Sequence, residues 1–187
     1  MKFTLAFSLA LLLSSSPALA SAAEPPAGDL DTAGADAPRN IAVTLSPLHL
    51  LSPILEVTTE FRVDDRVGAA VIGGFGRVDG DFWVYEAGGQ VRWYALGSFE
   101  HGLQLGGQLL YLHVSSGDID GTGIAGAGNG LSVGPFVGYK YTSSFGLTFD
   151  VQAGAQVVAV NARADDGSSE SAGGVGPLVN ANIGWSF

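Results

Sequence analysis

The chain predicts an all-β fold: an eight-stranded antiparallel up-and-down transmembrane β-barrel, preceded by a signal peptide and a disordered leader. Three observations carry that reading. Hydropathy alternates with a period of two through most of residues 41–187, which sorts side chains onto opposite faces of strands. The composition is apolar and glycine-rich, with 47% hydrophobic residues, 28 glycines and 14% charged residues. Yet beyond the N-terminus no apolar run approaches the roughly 18 residues that a spanning helix needs. The apolar face also continues to Phe187, where a water-soluble domain commonly frays into a polar tail.

The first residues read as an export signal. Met1-Lys2 gives a positive start, an apolar run follows from Phe3 to Leu13, and Ser14 to Pro17 break it before an Ala18-Leu19-Ala20 cleavage site. Residues 1–20 are therefore expected to be a secretory signal peptide. Residues 21–38, rich in Ala, Pro, Gly and Asp, are expected to form a disordered periplasmic leader. That leaves 39–187 as the barrel. The absence of cysteine excludes disulfides, thiolate metal sites and a thiol nucleophile. Without Lys2 the chain holds 7 basic and 18 acidic residues, a formal net charge of −11, which argues against nucleic acid as a partner.

Eight segments follow, separated by turn residues. The first is Ile41–Leu50, interrupted by Pro47 and followed by Pro53. The second, Ile54–Val63, ends at Asp64-Asp65, and the third, Arg66–Arg77, at Asp79-Gly80-Asp81. The fourth is Phe82–Leu96, the fifth about His101–Val114, the sixth Leu131–Thr142, the seventh Phe145–Asn161 and the eighth Val175–Phe187. Two polar stretches, 115–130 and 162–174, read as long loops. The links after segments two, four and six are tight and those after five and seven are long, the alternation of short periplasmic turns and longer extracellular loops in outer-membrane barrels. Both termini then lie in the periplasm.

The fourth segment separates the two faces most clearly. Trp83, Tyr85, Val91 and Trp93 share one parity; Glu86, Gln90 and Arg92 share the other. Trp83 and Trp93 are ten positions apart, about 33 Å along a strand. At a tilt of about 40° this spans roughly the 25 Å apolar band between two aromatic girdles. With Tyr111, Tyr139, Tyr141 and Trp185, these aromatics are the expected girdle residues. The opposite parity carries Glu56, Glu60, Arg62, Glu86, Gln90, Arg92, Gln104, Gln108, Lys140, Asp150, Gln152 and Gln156. Its charges nearly balance, and glycines between them leave room for long side chains. These twelve are expected to fill the lumen, because eight strands enclose a space just wide enough for side chains. A soluble β-sandwich, with the apolar face inside, is the alternative the pattern alone permits.

These features resemble the small outer-membrane β-barrels of OmpA-transmembrane and OmpX-type architecture. The resemblance covers Ile41–Phe187, and the alternating Val179, Ala181, Ile183, Trp185 and Phe187 are similar to the C-terminal signature that the barrel-assembly machinery recognises in that class. It implies an outer-membrane location, outer-membrane lipid as surroundings, a monomer, and a structural or surface-interaction role exercised through the loops 115–130 and 162–174.

Other chemistries find less support. His49, His101 and His113 show no metal-ligand spacing, so no zinc site and no cofactor are expected. His113-Val114-Ser115 resembles the His-x-Ser element of PagL-type lipid A deacylases, an alternative reading as an interfacial lipid hydrolase. Serine hydrolysis needs a carboxylate to orient the histidine, and Leu131–Thr142 supplies none. The loop glycines Gly121, Gly123, Gly126 and Gly128 precede no helix, and so form no phosphate loop. Asp118, Asp120, Asp165 and Asp166 match no EF-hand. A narrow channel is the third reading, opposed by the filled lumen.

Overall fold

The computed structural model describes residues 38–78, 82–116, 126–164 and 169–187. The expected signal peptide (1–20) and leader residues 21–37, residues 79–81, and Asp118, Asp120, Gly121, Gly123, Asp165 and Asp166 lie outside the described residues. Within them the chain forms β1 (Ile41–Leu45), α1 (Pro47–Leu50), β2 (Ile54–Asp64), β3 (Val67–Val78), β4 (Phe82–Gly97), β5 (His101–Ser116), β6 (Gly126–Thr142), β7 (Leu147–Ala164) and β8 (Ser169–Ser186). Every strand pairs antiparallel with the next, and β1 closes the sheet against β8, in the order β1 to β8 of an up-and-down barrel.

The pleat holds its parity around the circumference. Through the body of each strand the even-numbered residues point inward, from Ala42 and Thr44 on β1 to Asn180, Asn182 and Ser186 on β8, all buried; past the bulges at Arg62/Asp64 and Tyr94/Leu96 the alternation breaks, and Asp64 and Leu96 are exposed. The odd-numbered residues face outward. Tight turns preserve this parity. Gly97 at the end of β4 and Gly146 before β7 adopt φ of 96° and 105°, a region that only glycine enters without strain. A Cβ at Gly146 would also lie 2.6 Å from Trp185 Nε1.

The register shows how the sheet closes. Following the ladder from Leu45 through Val57, Gly73, Ala87, Tyr111, Leu131 and Ala159 leads onto β8 at Gly173. Leu45 itself pairs with Ile183, ten positions farther along β8. Such a stagger is what a barrel needs, and it tilts the strands about 35–45° from the axis. It also makes one rim slope. The closing ladder holds only four pairs, Ala42↔Ser186 to Leu45↔Ile183. Beyond it β8 continues to Ser169, with no strand partner on its β1 side among the described residues.

Three segment boundaries differ from the sequence expectation. The first segment does not run to Leu50. The strand stops at Leu45, because Pro47 has no N–H to give a ladder, and Pro47 instead opens the single helical turn α1. The described parts of the stretches 115–130 and 162–174 are strand, not loop. Ser115 pairs with Ala127, His113 with Asn129, and Asn161 with Ser171, so strand extends through 115–116, 126–130, 162–164 and 169–174. Ladder bonds join backbone groups and are indifferent to polar, glycine-rich side chains that signal loop by composition. The seventh strand starts at Leu147, leaving Phe145 in the preceding turn.

Candidate functional site

The barrel interior is the chemically distinctive part of the molecule. Ten of the twelve expected lumen residues are inside and buried: Glu56, Glu60, Glu86, Gln90, Arg92, Gln104, Gln108, Lys140, Asp150 and Gln152. Arg62 instead lies half-buried at the rim that carries Asn40 and Phe187, the terminal rim. There its guanidinium donates to Asp65 Oδ1 at 2.5 Å and to the Arg39 carbonyl at 3.3 Å. Gln156 is half-buried toward the opposite rim, where it accepts from Ser132 and donates to the Pro177 carbonyl at 3.1 Å.

In the half nearer the terminal rim, four charges form one neutral cluster. Arg92, 2% exposed, donates from Nη1 to Glu60 Oε2 at 3.0 Å and to Asp150 Oδ2 at 2.6 Å. Lys140, 1% exposed, donates to the same Glu60 oxygen at 2.8 Å. Amides complete the shell. Gln90 Oε1 accepts from Arg92 Nε at 2.9 Å and Nη2 at 2.6 Å, Gln104 donates to Asp150 Oδ1, and Gln152 donates to Asp150 Oδ2 at 3.0 Å. Gln90 also donates to Gln108 at 2.6 Å and Gln152 at 3.1 Å. Charges buried at this depth persist only when paired and hydrogen-bonded, and here two cations face two anions. Inward glycines provide the space: a Cβ on Gly68 would lie 2.1 Å from Glu60 Oε1, and one on Gly138 would lie 3.0 Å from Gln104 Nε2.

Two aromatic residues that sequence periodicity did not single out close this end. Tyr94 donates to Glu60 Oε1 at 2.7 Å. Phe99, from the β4–β5 turn, folds inward beside it, edge to face, with ring centroids 6.1 Å apart. Both are fully buried, and Lys140 Nζ lies 3.7 Å from the Phe99 ring centroid. Tyr94 shares the parity of Arg92 and was legible on that ground. Phe99 sits in a turn, where no period exists to reveal its direction.

The opposite half of the lumen holds a second group. His49 on α1, Glu56 on β2 and Glu86 on β4 bring Nδ1 and two carboxylate oxygens within 4.8 Å of one another. Nδ1 of His49 lies 3.5 Å from Glu56 Oε1 and 2.8 Å from Ser46 Oγ. Burial holds the His49 pKa below its ordinary value, so the ring is neutral at pH 7. Glu56 Oε1 and Glu86 Oε1 are buried with no hydrogen-bond partner among the described residues. The three histidines have no ligand spacing in sequence. The cluster arises because α1 turns His49 inward where a continuous strand would have placed it outside.

The outer wall has the reverse chemistry. Trp83, Tyr85, Trp93, Tyr111, Tyr139, Tyr141 and Trp185 all face outward, 41–51% exposed, and Phe187 is 67% exposed. Between them lie outward Val, Leu and Ile residues on every strand. His113 is also on this face, with Nδ1 2.8 Å from Asn129 Oδ1, which Tyr111 Oη also reaches at 2.5 Å. The described residues thus pair His113 with an amide and form no ion pair there. No protein-family model matches the chain, and no curated protein matches it.

Proposed function

We infer that the protein is an integral outer-membrane barrel with a side-chain-filled lumen, and that it acts as a structural or surface-presenting element. The observation that supports this most is polarity. Glu60, Arg92, Lys140 and Asp150 are 1–2% exposed inside, while Val71, Val91, Val133, Val151 and Trp93 are at least half exposed outside. In water that arrangement wastes the apolar burial that stabilises a fold. In a bilayer it suits acyl chains on one side and ion pairs on the other. A closed sheet satisfies its backbone groups within itself, which hydrocarbon surroundings demand. Polar outward residues on the extended tips of β6 to β8, such as Asn129, Asn161, Arg163 and Ser171, are all exposed. They suit the side facing the exterior, where recognition would take place on rigid sheet tips more than on long loops.

Two measurements test the reading. Protein refolded into bilayers of brominated phospholipid should lose a large part of its Trp83 and Trp93 fluorescence, and the folded protein should run anomalously on gels until heated. Tryptophans shielded from the bromines, or a monomer soluble in plain buffer, would overturn the outward apolar face. In planar bilayers the protein should give no steady open state, since the Arg92 cluster and Phe99 fill the bore. A stable conductance would replace the structural role with a channel.

A further inference from the structure

We propose that His49, Glu56 and Glu86 bind a divalent cation of the zinc class inside the lumen, at the end opposite the terminal rim. The three ligands come from three separate elements, α1, β2 and β4, and their donor atoms lie within 4.8 Å of one another. Around a tetrahedral ion with bonds near 2.0–2.1 Å, donor atoms are about 3.3–3.5 Å apart. The 3.5 Å between His49 Nδ1 and Glu56 Oε1 already meets that spacing. Two carboxylate oxygens, Glu56 Oε1 and Glu86 Oε1, are buried with no hydrogen-bond donor among the described residues. Their residues are 2% and 7% exposed. Buried carboxylate oxygens without partners are costly. Both carboxylates in the Arg92 cluster have a cation within hydrogen-bond distance, whereas Glu56 Oε1 has beside it the His49 imidazole at 3.5 Å.

The donor set selects the ion. One imidazole with two carboxylates suits zinc and its first-row neighbours, while calcium requires six to eight oxygens and magnesium keeps most of its waters. Deep placement is enforced by Gly74, where a Cβ would lie 2.2 Å from Glu86 Oε1, so the glycine holds the space that Glu86 occupies. Nδ1 of His49 would exchange its hydrogen bond to Ser46 Oγ for the metal bond, leaving the fourth position to water. The ion would tie α1 to the barrel wall at the foot of the sloping rim. The site requires only the folded barrel, and detergent micelles are enough to examine it.

The experiment is a titration of refolded, chelator-washed protein with Co²⁺, read by visible d–d absorption, followed by displacement with Zn²⁺. One equivalent should bind, with the band intensity of a four- or five-coordinate site. Exchange of an outer-shell partner commonly costs 10–100-fold in metal affinity, so loss of a direct ligand in His49→Gln or Glu86→Gln should weaken binding by at least about 100-fold. Heat-modifiable migration monitors folding of both variants. His49→Gln lies on a rim turn and Glu86→Gln removes a buried charge, so both should fold. No saturable cobalt spectrum in the folded protein would overturn the site, leaving a proton shared between the carboxylates. Unchanged binding in folded His49→Gln would overturn it equally.

Discussion

Arg92→Glu is expected to abolish the folded barrel, or to lower its stability by more than about 3 kcal/mol. Among the described residues the guanidinium is the one group hydrogen-bonded to both Glu60 and Asp150 across the lumen, and it carries Gln90 as well. Removing one partner of a buried ion pair typically costs about 3–5 kcal/mol, because the other charge is stranded. Reversal does more. It places a third carboxylate against two that retain only Lys140. Whole domains are stable by only about 5–15 kcal/mol, so few barrels would survive this. Urea titration of refolded protein, followed by heat-modifiable migration, measures the effect. A change within about 0.5 kcal/mol, the range of ordinary surface substitutions, would mean that Arg92 is hydrated and unpaired.

Gly184→Val is expected to prevent closure of the sheet. Gly184 faces inward on β8 opposite Thr44, and a Cβ there would lie 2.0 Å from the Val43 carbonyl oxygen and 2.6 Å from Thr44 Cα. Those are backbone atoms, which cannot rotate away as a side chain can. The clash falls within the four-pair ladder that joins β1 to β8, so any shift removes a large part of the seam. Loss of the fast-migrating folded form on unheated gels is the expected result. Gly107→Val provides the contrast, since a Cβ at Gly107 meets nothing within 4 Å. If both variants fold alike, the seam tolerates displacement and closure does not depend on close approach at Gly184.

Much of this architecture was legible because a strand sorts its residues by parity, and the turns preserve the count. Glu86, Gln90 and Arg92 could be placed on one face with no knowledge of their neighbours. Their partners could not. Arg92 meets Glu60 and Asp150, 32 and 58 positions away, and period two assigns a face without naming what lies across the bore. Asn129 and Ser171 looked like loop because their side chains carry no apolar signal. They are strand because the ladder is built from peptide groups. His49 was hidden for a different reason: its direction depends on Pro47 ending β1, and on the turn that follows. Phe99 had no pattern to betray it.

On the proposed reading as a membrane barrel, the uneven rim has a consequence for the surrounding lipid. On the β5–β8 flank, strands of 16–18 residues form the wall, while the opposite flank has a five-residue strand. Leu48, Leu50 and Leu51, exposed at 37%, 52% and 80%, extend the greasy surface above that short strand, but only by one helical turn. A leaflet of uniform thickness therefore meets hydrophobic mismatch on one side of the molecule and little on the other. Mismatch costs fractions of a kcal/mol per Å and is commonly relieved by local thinning, so the protein would carry a dimple of compressed lipid anchored beside α1.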